Sequence, residues 1–239
     1  MPQTLHQLIA VRRPSGQHEE QPGTDEAAHA PSLWAARQVV VVLDSGRAGA
    51  LRVSDAPAFD AFIEAALLQA AIAQRAGDRV SIMAFDADVR ARLVGEQGRA
   101  ITHTVAQTLA DVEPTLHATD WTSLPVHVAA ITKRPALVVI LTTLGGGTPA
   151  SGLLDVIPEL KRSHTVMIAS TQADPFTRPE KIDPEAAFNR AAYERSQIEA
   201  KNLMRTIERA GAMVVRARAD DLPVAVVDTY LELKARGRL

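Results

Sequence analysis

The sequence predicts an α/β domain with a Rossmann-like, mainly parallel central sheet and helices on both of its faces. Residues 39–43 and 136–141 are two continuous apolar runs rich in β-branched side chains, which is typical of strands buried on both faces. Stretches with a helical spacing of apolar residues alternate with strand-like stretches along the chain. Because this alternation implies right-handed crossovers between parallel strands, it favours a sheet that is covered on both sides.

The elements can be predicted in order from their periodicity and their end signals. After a first strand at residues 38–43, residues 54–57 supply an N-cap and an early-turn proline for a helix that ends at Gly77. Strands at 79–85 and 89–94 are separated by only a short turn, so they are predicted to form an antiparallel hairpin at one edge of the sheet. The remaining predicted elements are helices at 101–112 and 124–131, a strand at 136–141, a helix at 151–160, a strand at 165–169, a helix at 184–210, a strand at 212–216 and a helix at 222–234.

The chain is predicted to contain one domain. Residues 14–31 are polar and mix Gly, Pro, Glu and His without a period, which is typical of a flexible segment. We therefore expect residues 1–36 to be a flexible or truncated N-terminal segment and residues 37–239 to form the domain. The sequence shows neither an internal repeat nor a second core.

The composition excludes several classes of function. The formal net charge is −2 and charges of both signs are interspersed, so the sequence predicts no binding to nucleic acid or to an anionic membrane. The chain has no cysteine, which excludes disulfides, thiolate metal sites and cysteine nucleophiles. No apolar run reaches the roughly 18–20 residues that span a bilayer, and no signal peptide is visible. We therefore expect a cytoplasmic protein without a membrane span, of undetermined oligomeric state.

The predicted strands end in polar residues at their carboxyl ends. In open α/β sheets, ligands bind outside these ends, where the connections diverge. The residues at this edge are 44–47, Asp86, Thr142 with Thr143, and Asp174. Asp44 directly follows a buried strand, and a carboxylate in that position requires a cap, a cation or a partner group. The residues alone leave open whether Asp44 caps its loop or binds a ligand.

Motifs for several common catalytic and nucleotide-binding sites are absent from the sequence. No glycine fingerprint for a dinucleotide follows the first strand, and neither a phosphate-binding loop nor a nucleophile elbow is present. The glycines at 145–147 are interpreted as a flexible loop, because no lysine or arginine supports anion binding there. Asp86 and Asp88 are interpreted as turn-forming residues of the hairpin.

Several short segments from residue 37 onward share their order and spacing with one known family. The chain resembles a von Willebrand factor A (VWA) domain and, more narrowly, the bacterial family named domain of unknown function 58. None of the segments is specific alone, and together they cover most of the chain after residue 37. They are residues 41–44, 65–68, 77–80, 84–86, 118–120, 141–142, 162–164, 174–175, 222–223 and 230–234.

The resemblance implies a degenerate form of the metal-ion-dependent adhesion site of VWA domains. That site binds Mg²⁺ through an Asp-x-Ser-x-Ser loop, a Thr and a further Asp, which suits a cation that prefers oxygen ligands. In this chain Asp44 and Thr119 match the pattern. Gly46 and Ala48 replace the two serines, and Thr143 stands at the position of the further Asp. We therefore expect either no cofactor or weak Mg²⁺ binding through Asp44 and Thr119.

The resemblance also implies a non-enzymatic protein-interaction module. Family members are thought to assist MoxR-type AAA+ ATPases in the assembly or maturation of other proteins. In this interpretation Arg47 can pair with an acidic residue of the partner in place of a bridging metal, and Ser45 and Asp120 lie beside the matched positions. The expected partner-binding residues are Asp44, Ser45, Gly46, Arg47, Thr119, Asp120 and Thr143.

Two alternative functions remain open from the sequence. The first is a metal-assisted phosphohydrolase or transferase that uses Asp44, with Asp86, Asp120 and Asp174 as the candidate further acids. The second is a scaffold with a vestigial site, which would bind its partner through the long helix at 184–210.

Overall fold

The computed structural model describes residues 37–53, 55–98, 100–145, 151–172 and 184–239. The expected N-terminal segment, residues 1–36, lies outside the described residues, as do Asp174 and Pro175. The described part contains eight strands: β1 (Gln38–Asp44), β2 (Arg52–Val53), β3 (Ala56–Pro57), β4 (Arg79–Phe85), β5 (Val89–Glu96), β6 (Leu137–Thr143), β7 (Thr165–Thr171) and β8 (Met213–Ala217).

Seven α-helices are present in the same described ranges. They are α1 (Arg47–Ala50), α2 (Ala58–Arg75), α3 (Ile101–Leu109), α4 (Leu124–Ile131), α5 (Ser151–Lys161), α6 (Pro184–Arg209) and α7 (Leu222–Ala235). Two single 3₁₀ turns, Trp121–Ser123 and Ala219–Asp221, lead directly into α4 and α7. Within the part of the chain that is described, no helix is both long enough and apolar enough to cross a bilayer.

Six strands form the central sheet, in the order β5-β4-β1-β6-β7-β8. All neighbouring pairs are parallel except β4 and β5, which form the antiparallel hairpin at one edge. This arrangement confirms the predicted fold class, including the hairpin. β2 and β3 form a separate two-stranded ribbon that the sequence did not predict.

The two faces of the sheet are covered by separate helical layers. Val39, Val41 and Leu43 of β1 point into one apolar layer, which also contains residues of α2, α3 and α7. Val40 and Val42 point into the other layer, with residues of α4, α5 and α6. Successive side chains of a strand alternate between faces, so a strand buried on both sides must be apolar at every position. The continuous run of β-branched residues in β1 therefore places this strand at the centre of the domain.

The start of α2 differs from the prediction. Residues 54–57 were expected to supply an N-cap and a proline in the first turn, but α2 begins at Ala58 and Pro57 stands before the helix with extended backbone angles. The reason is that Ala56 and Pro57 pair with Val53 and Arg52 in the short ribbon. Ser54 itself lies outside the described residues.

Parallel pairing places the carboxyl ends of β1, β4, β6, β7 and β8 at one edge of the sheet and their amino ends at the other. At the amino edge, the buried Asp78 joins the C-terminal helix to the sheet. Its Oδ1 accepts hydrogen bonds from the Arg37 backbone N–H (3.0 Å) and from Lys234 Nζ (2.6 Å). Its Oδ2 accepts one from the Tyr230 hydroxyl (2.6 Å). The carboxyl edge, which carries the candidate site, is thus separate from this structural cluster.

Candidate binding site at the carboxyl edge of the sheet

Asp44, the last residue of β1, lies at the bottom of the site and is only 1 % exposed. Its Oδ1 accepts hydrogen bonds from the Thr119 hydroxyl (2.5 Å) and from the Gly46 backbone N–H (3.0 Å). Its Oδ2 accepts a hydrogen bond from the Thr142 hydroxyl (2.6 Å). Both carboxylate oxygens are therefore satisfied by donors of the chain itself, as a buried charged group requires.

The surroundings of Asp44 favour its neutral form. Burial raises the pKa of the Asp44 carboxyl group, and the nearby charge of Asp86 raises it further. The hydrogen bonds from Thr119, Thr142 and Gly46 lower this pKa but do not outweigh the burial. An ionised Asp44 carboxylate consequently lowers the stability of the folded state.

Two glycines allow the first loop to pack tightly around Asp44. A Cβ atom on Gly49, in α1, would lie 2.1 Å from the backbone oxygen of Asp44. A Cβ atom on Gly46 would lie 2.4 Å from Oγ1 of Thr119 and 2.9 Å from the backbone oxygen of His117. Gly46, at the first of the serine positions in the VWA pattern, therefore leaves the space through which the Thr119 hydroxyl reaches Asp44.

Backbone hydrogen bonds position the loop that carries Thr119. The Arg47 N–H donates to the His117 oxygen (2.8 Å), and the Thr115 N–H donates to the Ser45 oxygen (2.7 Å). These two bonds tie residues 115–117 to the loop after β1. They do not depend on side chains, and they position the backbone just before Thr119.

A small pocket opens above Asp44. It has a volume of about 20 Å³, which is enough for one water-sized group. On its rim, the exposed Arg47 donates through Nε to the backbone oxygen of Leu116 (3.3 Å), and Leu116 is itself 78 % exposed. The rim thus presents a cation next to an apolar side chain. The pocket is lined by Asp44, Arg47, Ala48, Ala118, Thr119, Trp121, Thr142, Thr143, Leu144 and Leu153.

The other predicted site residues have different surroundings. Asp120 is exposed and caps the 3₁₀ turn Trp121–Ser123, accepting hydrogen bonds from the Thr122 N–H (3.2 Å) and hydroxyl. The hydrogen bond from the Thr122 side chain lowers the pKa of Asp120. The Ser45 hydroxyl is buried and has no hydrogen-bond partner among the described residues. The Thr143 hydroxyl lies 3.1 Å from the hydroxyl of Thr171 on the neighbouring strand.

Thr142, which contacts Asp44 directly, was predicted to lie at this edge but was not among the expected partner-binding residues. β1 and β6 pair in parallel with Leu43 beside Leu141, so the next residues of the two strands, Asp44 and Thr142, lie side by side. Aligning the ends of the two apolar runs would have predicted the contact of Thr142 with Asp44. The family pattern pointed instead to the following residue, Thr143.

The candidate acids of the hairpin turn have structural partners. Asp86 Oδ1 accepts a hydrogen bond from the Asp88 N–H (3.0 Å), which confirms the interpretation of the pair as turn-forming. Asp86 Oδ2 accepts one from the Thr115 hydroxyl (3.1 Å). Asp174, the remaining candidate acid, lies outside the described residues.

The donor set around Asp44 is a poor match for Mg²⁺. This cation requires near-octahedral oxygen coordination, and among the described residues Asp44 is the only carboxylate that lines the pocket. Gly46 and Ala48 supply no side-chain oxygen. Across the described ranges, no three His, Asp or Glu residues come together in a group that could hold a metal ion.

The family model described as "Protein of unknown function DUF58" matches residues 31–174, which is more than half of the 239-residue chain. The chain belongs to this family. No curated protein matches the sequence.

Solved structures similar to this DUF58 chain include a VWA domain. The VWA domain of SpRpn10 is 10% identical over 81% of this chain and 95% of its own, with a TM-score of 0.52. The PilB minor pilin from Streptococcus sanguinis is 8% identical over 85% of this chain and 62% of its own, with a TM-score of 0.53. The conserved hypothetical protein BatB from Bacteroides thetaiotaomicron is 12% identical over 84% of this chain and 100% of its own, with a TM-score of 0.49.

Proposed function

We propose that this DUF58 chain is a non-enzymatic protein-interaction module that binds its partner through the carboxyl edge of the sheet, without a tightly bound metal. The observation that carries the proposal is the state of Asp44. Its carboxylate is buried and bonded to Thr119, Thr142 and Gly46 beneath a pocket the size of one water molecule. Such a carboxylate orders the loops around it and leaves contact with a partner to the residues on the rim.

The rim has the chemistry of a protein-binding surface. Arg47 is exposed, and within the described part of the chain its side chain bonds only to a backbone carbonyl, through Nε. Its positive charge is therefore available to an acidic group of a partner. The neighbouring Leu116 offers an exposed apolar contact. Arginine is enriched at protein interfaces relative to the rest of the surface.

The arrangement of the described acids argues against the alternative phosphohydrolase or transferase; Asp174 lies outside the described residues. Metal-assisted phosphoryl chemistry uses several carboxylates that converge on the metal ions. Here Asp86 is engaged by Asp88 and Thr115, and Asp120 caps its own turn. Neither offers a second carboxylate in the pocket above Asp44.

We infer that the partner is a MoxR-type AAA+ ATPase and that the complex forms in the cytoplasm, where ATP is available. The ground for this partner is the resemblance to the DUF58 family, whose members are thought to assist such ATPases. An acidic residue of the ATPase would meet Arg47, with an apolar residue beside it against Leu116.

A binding assay with purified MoxR-type ATPase from the same organism tests the proposal. Arg47→Glu reverses a charge on the rim and should weaken capture about tenfold. Arg209→Glu makes the same change at the exposed end of α6, near the amino edge of the sheet, and should leave capture unchanged. The proposal fails if Arg47→Glu and Asp44→Asn both capture the ATPase at the wild-type level.

The hydrolase alternative has its own assay. Wild-type chain and Asp44→Asn are incubated with a generic phosphoester and Mg²⁺. Turnover that requires Mg²⁺ and disappears in Asp44→Asn would replace the interaction module with an enzyme. We expect no turnover above that of a heat-denatured control.

A further inference from the structure

A second pocket lies at the same edge of the sheet, at the ends of β6, β7 and β8 and against α6. Its volume is about 140 Å³, which is enough for several water-sized atoms. It shares Thr143 with the pocket above Asp44, so the two pockets are neighbours. The polar residues that line it are Arg52, Thr143, Thr171, Ser196, Gln197 and Arg216.

Arg216, on β8, has a charge that no acid of the described chain neutralises. One Nη atom donates to Oε1 of Gln197 (2.8 Å), while Nε is buried and has no acceptor. Among the described residues, no carboxylate lies within salt-bridge distance of Arg216. Burial lowers the pKa of Arg216. A buried cationic donor without an acceptor is costly, and an anion would relieve that cost.

The rest of the wall also favours an anion. Arg52 is the other ionisable residue among the described ones that line the pocket. It donates to the backbone oxygen of Asp55, which does not neutralise its charge. The hydroxyls of Thr143 and Thr171 lie 3.1 Å apart. The hydrogen bond between the two hydroxyls uses the proton of one of them, so the other hydroxyl can donate its proton to a ligand. With two guanidinium groups and no acid among its described lining residues, this wall of the pocket favours an anion.

We propose that this pocket is an oxyanion site that binds a carboxylate or phosphate group, with Arg216 as its main ligand-binding residue. The guanidinium group can donate two parallel hydrogen bonds to such an anion, and the threonine hydroxyls supply a further donor. The inference goes beyond the proposed function, because it requires neither Asp44 nor a protein partner.

Thermal unfolding of the full chain tests the site. Sodium phosphate or sodium succinate replaces sodium chloride at constant ionic strength, so the two arms distinguish a phosphate ligand from a carboxylate ligand. At a concentration about tenfold above the dissociation constant, the preferred anion should raise the wild-type Tm by about 3–5 °C. Arg216→Gln should bind this anion about 10- to 100-fold more weakly. Asp44→Asn should respond like the wild type, because it leaves this pocket intact.

The inference is overturned if neither anion raises the Tm above its value in chloride, or if Arg216→Gln responds like the wild type. A second measurement uses only the wild-type chain, in case Arg216→Gln does not fold. The Nε–H resonance of Arg216 should shift saturably as phosphate or succinate is added in an NMR titration. No shift with either anion would also overturn the inference.

Discussion

At the residue scale, Asp44 combines burial with a full set of hydrogen bonds. The donors come from three separate parts of the chain, Gly46, Thr119 and Thr142, so the carboxylate links three segments at the site. Burial nevertheless outweighs these donors and raises the pKa of Asp44. An ionised group in such a position lowers the stability of the fold, which is a common property of residues retained for function.

The raised pKa of Asp44 predicts how stability depends on pH. The folded state favours the protonated carboxyl group of Asp44. The stability that this group contributes to the fold is therefore fully present below its pKa in the unfolded chain, near 3.8, and is lost as pH rises through its higher pKa in the folded chain. The Asp44→Asn variant does not lose stability in this way as pH rises. Its free energy of unfolding, relative to that of the wild type, should therefore increase from pH 4 to pH 8. Urea denaturation across this range measures the difference.

Asp120→Asn is the matched control for this pH dependence. The pKa of Asp120 is lowered, so its contribution is present above the unfolded pKa and is lost as pH falls through the folded value. The pH window of Asp120 lies below this range, so from pH 4 to pH 8 the stability difference for Asp120→Asn should stay nearly constant while that for Asp44→Asn increases. A stability difference for Asp44→Asn that stays constant or shrinks as pH rises would contradict the account of Asp44.

The donor set around Asp44 predicts a negligible response to Mg²⁺. A ligand stabilises the folded state only in proportion to its occupancy. With about 5 mM MgCl₂ in place of an equal ionic strength of NaCl, the Tm should therefore change by less than about 1 °C. A rise of several degrees that disappears in Asp44→Asn would show a functional metal site.

At the element scale, the four-residue helix α1 packs directly on the end of β1. Gly49 makes this approach possible, because a Cβ atom there would overlap the backbone oxygen of Asp44. α1 has no side-chain cap and is too short to be stable by itself. Its position therefore depends on tertiary packing, and the position of Arg47 at its first residue depends on the same packing.

Gly49→Ala should destabilise the domain by about 3 kcal/mol, since the backbone of α1 must move away from Asp44. Gly152→Ala is the control, because a Cβ atom on Gly152, in α5, would meet its nearest neighbour, Trp121, at an ordinary 3.4 Å. That control should be neutral or slightly stabilising. Chemical denaturation compares the two variants, and equal stabilities would contradict the close packing of α1.

The elements that could be predicted are those with a periodic sequence. β1 and β6 are continuous apolar runs and α2 repeats its apolar residues over 18 residues, so each has enough length to reveal its period. By contrast, α1 and the β2–β3 ribbon contain too few residues for any period and are held by tertiary contacts. Sequence periodicity therefore could not predict α1 or the ribbon.

The site was predictable in part for a similar reason. Asp44 follows a recognisable strand, so it could be identified as a candidate. Its contact with Thr142 depends on the register between β1 and β6, which the family pattern did not convey. The pocket at Arg216 depends on the packing of α6 against β8, which brings Gln197 to Arg216.

At the scale of the whole molecule, stability and binding are assigned to opposite edges of the sheet. The amino edge has the buried cluster of Asp78, Tyr230 and Lys234, which fastens α7 to the sheet. The carboxyl edge has the Asp44 pocket and the Arg216 pocket. Substitutions at the amino edge should consequently leave binding intact, and substitutions on the rim at the carboxyl edge should leave the stability of the fold intact.

Tyr230→Phe tests this separation. It leaves Oδ2 of the buried Asp78 without the Tyr230 donor and should lower the free energy of unfolding by about 1–3 kcal/mol. The affinity for the partner should not change. Thr229→Val is the control, because its hydroxyl donates only within α7, to the Ala225 oxygen. The separation of the two edges would be contradicted if Tyr230→Phe had wild-type stability, or if the fully folded variant bound the partner more weakly.

The measurement that tests the central claim most directly is hydrogen exchange of the chain with and without the MoxR-type ATPase, read by mass spectrometry. If the carboxyl edge binds the partner, peptides covering residues 44–51 and 115–123 should exchange more slowly in the complex. Peptides at the amino edge, including the end of α7, should exchange at the same rate in both states. Unchanged exchange at residues 44–51 and 115–123, with protection confined to α6, would contradict the account and favour a scaffold that binds through its helices.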